Sequence, residues 1–390
     1  MTVTFDQVHD RRSTGSLKWD FMTEKLGLDS EERLPMWVSD YDFQAPPAVL
    51  EALNQRIGHG IFGYAERNND YYQAIINWYQ QQHGIKIDQS WITTVHGVLP
   101  GLSMLIQMLT QSGDKVVMQT PGYGSFRKIT ELNDREIVAN PLVNDNGEYR
   151  MDLNHLEQCF TQGCKVMIFC NPHNPVGKAW SQEEILALAE LCERYQVWLL
   201  SDEIWGDLAM PGHQYHSALS LPERLQQRLV VATAASKTFG LSSLRISNFL
   251  IPNSELKAAF VRRLDAHGMD VYNSLAMCAA TAAYQTSSDW LNALKLYLQG
   301  NIDILATFLE KELPALRFQP PQAGYLAWVD CRGLGLGDDV LEKKLVNAGI
   351  VPSMGIAFGT EGSGYIRLNL GCPRETLLEA CQRMRTALTN

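Results

Sequence analysis

Short apolar runs alternate with helical patterns through the first two thirds of the chain. The helical pattern is clearest where Ser181 and Glu184 form a capping box and apolar residues then recur at helical spacing from Ile185 to Cys192. Strands that alternate with helices predict an α/β fold with a mostly parallel sheet between helices. The runs that predict buried strands are Trp91–Val95, Lys115–Gln119, Lys165–Cys170, Val197–Ser201 and Leu229–Ala234.

The pattern changes after about residue 285. Helical segments at Leu291–Lys311 and Val340–Ala348 are now combined with strand-like runs at Gly324–Asp330 and Tyr365–Leu370. This mixture predicts a smaller α+β C-terminal domain over residues 285–390, after a large domain over residues 45–284. Residues 1–44 are too few to bury a core of their own, so we expect them to pack on the domains.

Composition narrows the class of protein. The 390 residues are 45% hydrophobic and 19% charged, which is typical of a soluble globular enzyme with two or three domains. A formal net charge of −10 argues against nucleic acid and anionic membranes as partners. No apolar run approaches the roughly 18 residues of a spanning helix, and residues 1–10 lack the apolar core of a secretory signal. The eight cysteines form no CxxC pair, which favours reduced thiols in a cytoplasmic protein, and no histidine cluster indicates a metal site.

Candidate ligand-binding residues follow the predicted strands at their carboxyl ends, where open α/β sheets bind ligands. After the first strand, Gly97, Val98 and Leu99 lead into a helix. Free N–H groups at such a helix start suit a phosphate, but a plain strand–helix turn has the same pattern. After the second strand, Tyr123 suits either stacking on a planar ligand or filling a gap in the core.

The next three strands are followed by residues of stronger chemical character. Two Asn-Pro pairs make a rigid turn around Asn174, which suits either an amide held against a ligand or a structural loop. Asp202 and Glu203 could cap the surface, or one of them could pair with a cationic ring nitrogen. Lys237 directly follows a buried strand, where partial desolvation lowers the pKa of an amine and favours it as a nucleophile. A lone lysine at such a position is usually solvated.

The combination is more specific than any one of these motifs. Asn171-Pro-x-Asn174-Pro-x-Gly177, Asp202-Glu203 and Ser236-Lys237 resemble the fold-type I pyridoxal-phosphate (PLP) enzymes of the class I/II aminotransferase family. PLP chemistry needs a lysine, an acid for the pyridine nitrogen and a phosphate cradle. The resemblance implies a large PLP-binding domain whose sheet is of the seven-stranded type.

Four further segments resemble the MalY/PatB family of carbon–sulfur β-lyases, which includes the cystathionine β-lyases and cystalysin. The likeness extends from about residue 17 to the C-terminus. It implies a β-elimination that releases thiol, pyruvate and ammonia from L-cystathionine, cysteine or S-substituted cysteines. The segments are Pro35–Phe43, His59–Tyr64, Ser236–Phe239 and Ile366–Pro373.

The resemblance also implies a role for each matching residue. Lys237 would hold the cofactor as a Schiff base and later move the substrate Cα proton. Asp202 would keep the pyridine nitrogen protonated, Asn174 would hydrogen-bond the 3-hydroxyl oxygen beside the substrate, and Tyr123 would stack on the ring. Arg367 would bind the substrate α-carboxylate through a two-point fork.

The resemblance further implies which residues hold the phosphate, reach a partner subunit and line the substrate pocket. The amides of Val98 and Leu99, with the Ser236 hydroxyl, would hold the phosphate. Tyr64 would reach the phosphate or substrate of a partner subunit, which implies a homodimer with active sites shared across the interface. The residues expected to line the substrate pocket are Trp37, Ser39, Tyr41, Trp205 and residues 354–358.

Three positions depart from the β-lyase pattern. Trp205 stands where the lyases carry His, and an indole donates one hydrogen bond but cannot shuttle a proton. Gly240 follows Phe239 where the lyases carry Asn. Arg245 matches the phosphate-binding arginine of broader aminotransferases, or else it makes a structural salt bridge. These departures keep a PLP-dependent aminotransferase as the alternative to the lyase, and a regulatory or binding protein on the same scaffold is a third hypothesis.

Overall fold

The computed structural model describes residues 4–27 and 33–389. The strands are β1 (Leu34–Pro35), β2 (Ile92–Val95), β3 (Lys115–Thr120), β4 (Glu136–Pro141), β5 (Val143–Asp145), β6 (Glu148–Arg150), β7 (Val166–Cys170), β8 (Trp198–Asp202), β9 (Leu229–Thr233), β10 (Ser247–Leu250), β11 (Arg317–Phe318), β12 (Leu326–Asp330), β13 (Ile350–Val351), β14 (Ser353–Met354) and β15 (Tyr365–Asn369). The α-helices are α1 (Leu17–Asp20), α2 (Met22–Leu26), α3 (Pro47–His59), α4 (Asn69–His83), α5 (Val98–Leu109), α6 (Gly124–Glu131), α7 (Leu153–Thr161), α8 (Gln182–Arg194), α9 (Glu223–Gln226), α10 (Ala235–Thr238), α11 (Ser254–Ala266), α12 (Ser274–Thr286), α13 (Ser288–Glu312), α14 (Asp338–Asn347) and α15 (Arg374–Leu388). Short 3-10 turns lie at Gln89–Trp91, Gly206–Leu208, Ala218–Ser220, Ser242–Leu244, Arg332–Leu334, Gly355–Phe358 and Thr360–Gly362.

A mixed seven-stranded sheet forms the centre of the fold, in the order β2-β10-β9-β8-β7-β3-β4. The strands from β9 to β4 pair in parallel, whereas β10 pairs antiparallel with both β2 and β9. The α/β prediction is therefore confirmed, and each strand predicted for this sheet is present with its ends shifted by at most one residue. The patterns missed β4, an edge strand with one buried residue, and β10, whose four residues begin with the polar Ser247 and Asn248.

Both faces of this sheet are buried, because successive side chains of each strand enter different hydrophobic clusters. In β7, Met167 and Phe169 belong to one cluster, whereas Val166 and Ile168 belong to the other. Helices cover both faces. One of them, α8, begins at the predicted capping box of Ser181 and buries the predicted apolar face.

The C-terminal third contains a second sheet of four strands in the order β11-β12-β15-β14, with helices α13, α14 and α15. The predicted mixture of helices and strands is present here. The exact domain limits of residues 45–284 and 285–390 stay a prediction.

The described part of the N-terminal segment makes specific contacts with later parts of the chain. Strand β1 pairs in parallel with β13. Phe5 meets Trp290 and Tyr297, with ring centroids 5.5 and 5.4 Å apart. Lys18 is fully buried, and its Nζ lies 2.6 Å from Asp42 Oδ2. A buried ammonium needs such a partner, so this ion pair anchors the segment.

No helix within residues 4–27 and 33–389 is long and apolar enough to cross a membrane. The same residues include no group of three or more His, Cys, Asp or Glu side chains that could hold a metal ion. The eight cysteines are free thiols, and seven of them are buried.

Candidate active site

The residues with candidate chemistry lie at one edge of the central sheet. Strands β3, β7, β8 and β9 are parallel neighbours, so their carboxyl ends share this edge. Tyr123, Asn174, Asp202 and Lys237 follow or end these strands. The two Asn-Pro bonds of the turn around Asn174 are both cis. The sheet topology therefore brings together side chains that are far apart in the sequence.

Lys237 lies on α10, the short helix that begins two residues after β9. Its Nζ donates to the Ser39 backbone oxygen at 2.5 Å and lies 3.1 Å from Ser39 Oγ. Burial lowers the pKa of Lys237 to about 8, although the nearby charges of Asp40 and Asp202 act in the opposite direction. A larger fraction of this amine is therefore neutral near physiological pH than for an exposed lysine, which suits a nucleophile and a base.

Asp202 and Glu203 have different surroundings although they are adjacent. Asp202 ends β8, is 5% exposed, and accepts one hydrogen bond from the Ile204 backbone N–H at 3.1 Å. Burial raises its pKa to about 7. Glu203 instead accepts from Ser201, Ser217, Tyr215 and the Ala218 amide, so it has a structural environment. Asp202 is the weakly solvated carboxylate, and a bound cation would stabilise its charged form.

The start of α5 has the features of an anion site. Gly97 precedes the helix with φ +115°, and the N–H groups of Val98 and Leu99 have no acceptor within the described chain. A Cβ placed on Gly97 would lie 3.5 Å from Arg245 Nη2, so the guanidinium stands close to this turn. Arg245 forms no ion pair with any described acid, and its Nη2 donates to the His96 backbone oxygen at 3.4 Å. The helix dipole and this cation both favour a phosphate. Ser236 lies half-buried beside Lys237.

Arg367 is a buried cation on β15, and it is surrounded by neutral acceptors. Its Nη1 donates to Asn174 Oδ1 at 3.0 Å, and its Nη2 donates to the Trp37 backbone oxygen at 2.9 Å and to Ser353 Oγ at 3.3 Å. Its Nε–H is buried without a hydrogen-bond partner in the described residues. Burial lowers the pKa of Arg367 to about 10. A guanidinium has five N–H donors, so donors remain for an anion such as a carboxylate.

Comparisons with known proteins identify the family of this chain. The family described as "Aminotransferase class I and II" matches residues 32–384. The chain is 38% identical over 389 residues to cystathionine β-lyase PatB of Bacillus subtilis (strain 168), which covers 99% of this chain and 100% of that protein. It is 37% identical over 377 residues to protein MalY of Escherichia coli (strain K12), and the match covers 96% of this chain and 95% of that protein. The crystal structure of cystalysin from Treponema denticola contains a pyridoxal 5'-phosphate cofactor. It matches with a TM-score of 0.96 at 29% identity, over 100% of this chain and 99% of that chain.

The chain belongs to the class I and II aminotransferase family, in its MalY/PatB group.

Trp205, which was predicted, and Tyr325, which was not, pack together beside Lys237. Trp205 is 5% exposed, and its indole meets the Tyr325 ring at a centroid distance of 5.0 Å. A Cβ on Gly324 would lie 3.1 Å from the indole. The Tyr325 hydroxyl donates to the Ser39 backbone oxygen at 3.0 Å, the same oxygen that Lys237 contacts. Tyr325 was not predicted as a site residue, because an aromatic residue in a strand-like run has the pattern of a core residue.

The side chains of two predicted site residues, Trp37 and Tyr64, make no contact with the other candidate residues among the contacts of the described chain. The Trp37 indole donates to the Lys18 backbone oxygen at 3.2 Å, so it is the Trp37 backbone oxygen that reaches Arg367. Tyr64 is 96% exposed. Within one chain it is therefore not assembled with the other candidate residues.

Proposed function

We propose that this protein is a PLP-dependent carbon–sulfur β-lyase that acts on L-cystathionine, cysteine or S-substituted cysteines. The observation that carries the proposal is the convergence of three groups at one edge of the sheet. They are an amine of lowered pKa on Lys237, a weakly solvated carboxylate on Asp202, and a buried guanidinium with unused donors on Arg367. The relatives named cystathionine β-lyase and cystalysin support the lyase reaction.

The residues present fit PLP. Asp202 is buried and has one hydrogen bond, so a protonated ring nitrogen would stabilise its charge. The free N–H groups of Val98 and Leu99, with Arg245 near the same turn, suit the phosphate. Lys237 would hold the cofactor through its amine. When bound, PLP supplies an electron sink for the negative charge that develops at the substrate Cα.

Three residues would then act on the substrate. Arg367 binds the α-carboxylate, because its remaining donors suit a planar anion. Asn174 fixes the guanidinium through its Oδ1. Once the substrate amine has replaced it on the cofactor, the freed amine of Lys237 would take the proton from Cα, a role that its burial favours because burial lowers its pKa. Loss of the thiolate from Cβ and hydrolysis of the remaining fragment give thiol, pyruvate and ammonia.

The proposed enzyme is a homodimer whose partner subunit supplies Tyr64. Tyr64 is 96% exposed, and the neighbouring side chains of Ile61 and Phe62 are 68% and 59% exposed. Three large exposed residues in one short segment form an apolar surface that a second copy would cover. We also propose a cytoplasmic location, which is supported by eight free thiols without a disulfide.

An aminotransferase is the second candidate, because two observations favour it over a lyase. Arg245 stands at the turn of the proposed phosphate site and makes no ion pair with the described acids. Trp205 replaces the His of the lyases, and its indole packs into the wall of the site. Both candidates use the same lysine to take the Cα proton.

The deciding experiment measures pyruvate and free thiol released from L-cystathionine by the PLP-loaded protein without a keto acid. Sustained release over many turnovers is expected of the lyase. If no pyruvate or thiol is released, and an added keto acid is instead converted to an amino acid, the protein is an aminotransferase and the lyase proposal fails.

A further inference from the structure

Arg367 has an aromatic neighbour that the proposed reaction does not otherwise need. The guanidinium carbon lies 4.7 Å from the centroid of the Phe358 ring. Phe358 is 7% exposed, so the contact is largely desolvated. A cation over a ring face is attracted by the ring quadrupole, and the attraction grows when water is excluded. The Arg367 guanidinium therefore lies over the face of the Phe358 ring, in a site from which water is largely excluded.

The Phe358 ring is itself held in place from the small sheet. Trp328 on β12 meets it edge to face, with a centroid distance of 5.6 Å and an interplanar angle of 82°. The Trp328 indole donates to the Tyr149 hydroxyl at 3.0 Å and stacks on Tyr365 at 5.0 Å. The ring thus rests on an aromatic group that is fixed by its own hydrogen bond and by stacking.

The Phe358 backbone is tied to the other side of the site. Its carbonyl oxygen accepts from the Gly122 N–H at 2.8 Å, one residue before Tyr123. The two segments approach so closely that a Cβ on Gly124 would lie 2.9 Å from the Ala357 oxygen. Phe358 consequently joins β15, which carries Arg367, to the loop that carries Tyr123.

We propose that Phe358 is a positioning residue for binding of the substrate α-carboxylate, and that it acts by holding the Arg367 guanidinium in place over its ring. The inference rests on the proposed function, in which Arg367 receives the carboxylate. A carboxylate binds a guanidinium in the guanidinium plane, through N–H groups at its edge. A cation–π contact attracts the guanidinium without using any of its N–H groups as a hydrogen-bond donor to an oxygen, so those donors stay available for the carboxylate. The aromatic face, and not the volume of the side chain, carries this role.

The test compares Phe358→Leu and Phe358→Met with the wild-type holoenzyme. Both variants remove the ring face and keep an apolar side chain, and the second serves if the first does not fold. Steady-state kinetics with L-cystathionine give KM and kcat. Equilibrium binding of L-alanine, which has no β leaving group, is followed by the absorbance of the bound cofactor. Phe260→Leu is the matched control, because Phe260 is fully buried in α11 and packs on Phe249.

A desolvated cation–π contact corresponds to a change in affinity of about tenfold to thirtyfold. We expect KM and the dissociation constant of L-alanine to rise by about that factor in the Phe358 variants, with kcat within about threefold. The control should leave both unchanged. In an Arg367→Gln background, Phe358→Leu should have no further effect, because the cation is gone.

Two results would overturn the inference. One is a KM and an L-alanine dissociation constant within twofold of wild type in both Phe358 variants. The other is an equal loss in the Arg367→Gln background, since Phe358 would then act independently of the guanidinium. Failure of the proposed function is distinguishable: wild-type enzyme would then release no pyruvate, while L-alanine binding still reports on Phe358.

Discussion

Asp207 connects the stability of the fold to the placement of Lys237. Its side chain is 9% exposed. Oδ1 accepts from Trp78 Nε1 at 2.9 Å and lies 2.8 Å from His83 Nε2, and Oδ2 accepts from Thr238 Oγ1 at 2.7 Å. Burial opposes ionisation, but the hydrogen bonds and the charge of His83 keep the pKa of Asp207 below its usual value. Because Thr238 follows Lys237 on α10, this carboxylate anchors the helix that carries the amine.

Asp207→Ala removes the acceptor of three donors, of which those of Trp78 and Thr238 belong to buried residues and that of His83 to a partly buried one. A buried donor left without a partner costs about 1–3 kcal/mol. With partial relaxation we expect the free energy of unfolding to fall by about 3–5 kcal/mol. Asp207→Asn keeps one oxygen for Trp78 and His83, and its amide can donate to the Thr238 hydroxyl, which can rotate to accept. We expect this variant to lose only about 1 kcal/mol.

Urea unfolding, followed by tryptophan fluorescence at one protein concentration, measures both losses. Asp10→Ala is the control, because Asp10 and its partner Arg12 are both 61% exposed and an exposed ion pair contributes little. The reasoning is refuted if Asp207→Ala shifts the unfolding midpoint no more than Asp10→Ala. It is also refuted if Asp207→Asn is as destabilising as Asp207→Ala, since hydrogen bonding would then not be the cause.

Lys237→Ala is expected to abolish pyruvate release from L-cystathionine, because it removes the amine that takes the Cα proton; release at the wild-type rate would contradict the assignment. In the cofactor-free protein, burial raises the pKa of Asp202 from 3.8 to about 7, so the folded state binds this proton more tightly than the unfolded state. The free energy of unfolding should therefore fall as the pH rises from about 4 to 7, and urea unfolding should show that Asp202→Asn removes on the order of 3 kcal/mol of that fall. An identical pH profile for both proteins would exclude this explanation. Gly101→Ala would drive a methyl group into the Phe249 ring and should cost about 1–3 kcal/mol in thermal unfolding. Gly58→Ala, with nothing within 4 Å of the new Cβ, is its control, and equal melting temperatures would argue against the tight contact.

The sequence predicted the parts of the fold and site that have a local signature. Buried strands are marked by apolar runs, and Asp202 and Lys237 stand out because a charged residue follows such a run. β4 was not predicted, because an edge strand is only partly apolar. Ser353 and Tyr325 were not predicted as site residues for another reason. Their roles arise from contacts between segments distant in sequence, and serine and tyrosine occur in many environments. Residues 354–358 were predicted to line the pocket, but the contact between the Phe358 ring and Arg367 was not predicted.

Residues 37–40, shortly after β1, illustrate why the other contacts of the site could not be predicted from the sequence. Within three residues, the Trp37 backbone oxygen accepts from Arg367 and the Ser39 backbone oxygen accepts from Lys237. Both residues were predicted to bind substrate through their side chains, which stays a prediction, and the contacts of their backbone oxygens with Arg367 and Lys237 were not predicted. Every residue has such an oxygen, so no residue type reveals it. Asn369 Nδ2 holds the same stretch by donating to the backbone oxygens of Val38 and Asp40. Because this stretch lies between the guanidinium and the amine, a change in its position would alter the carboxylate site and the base together.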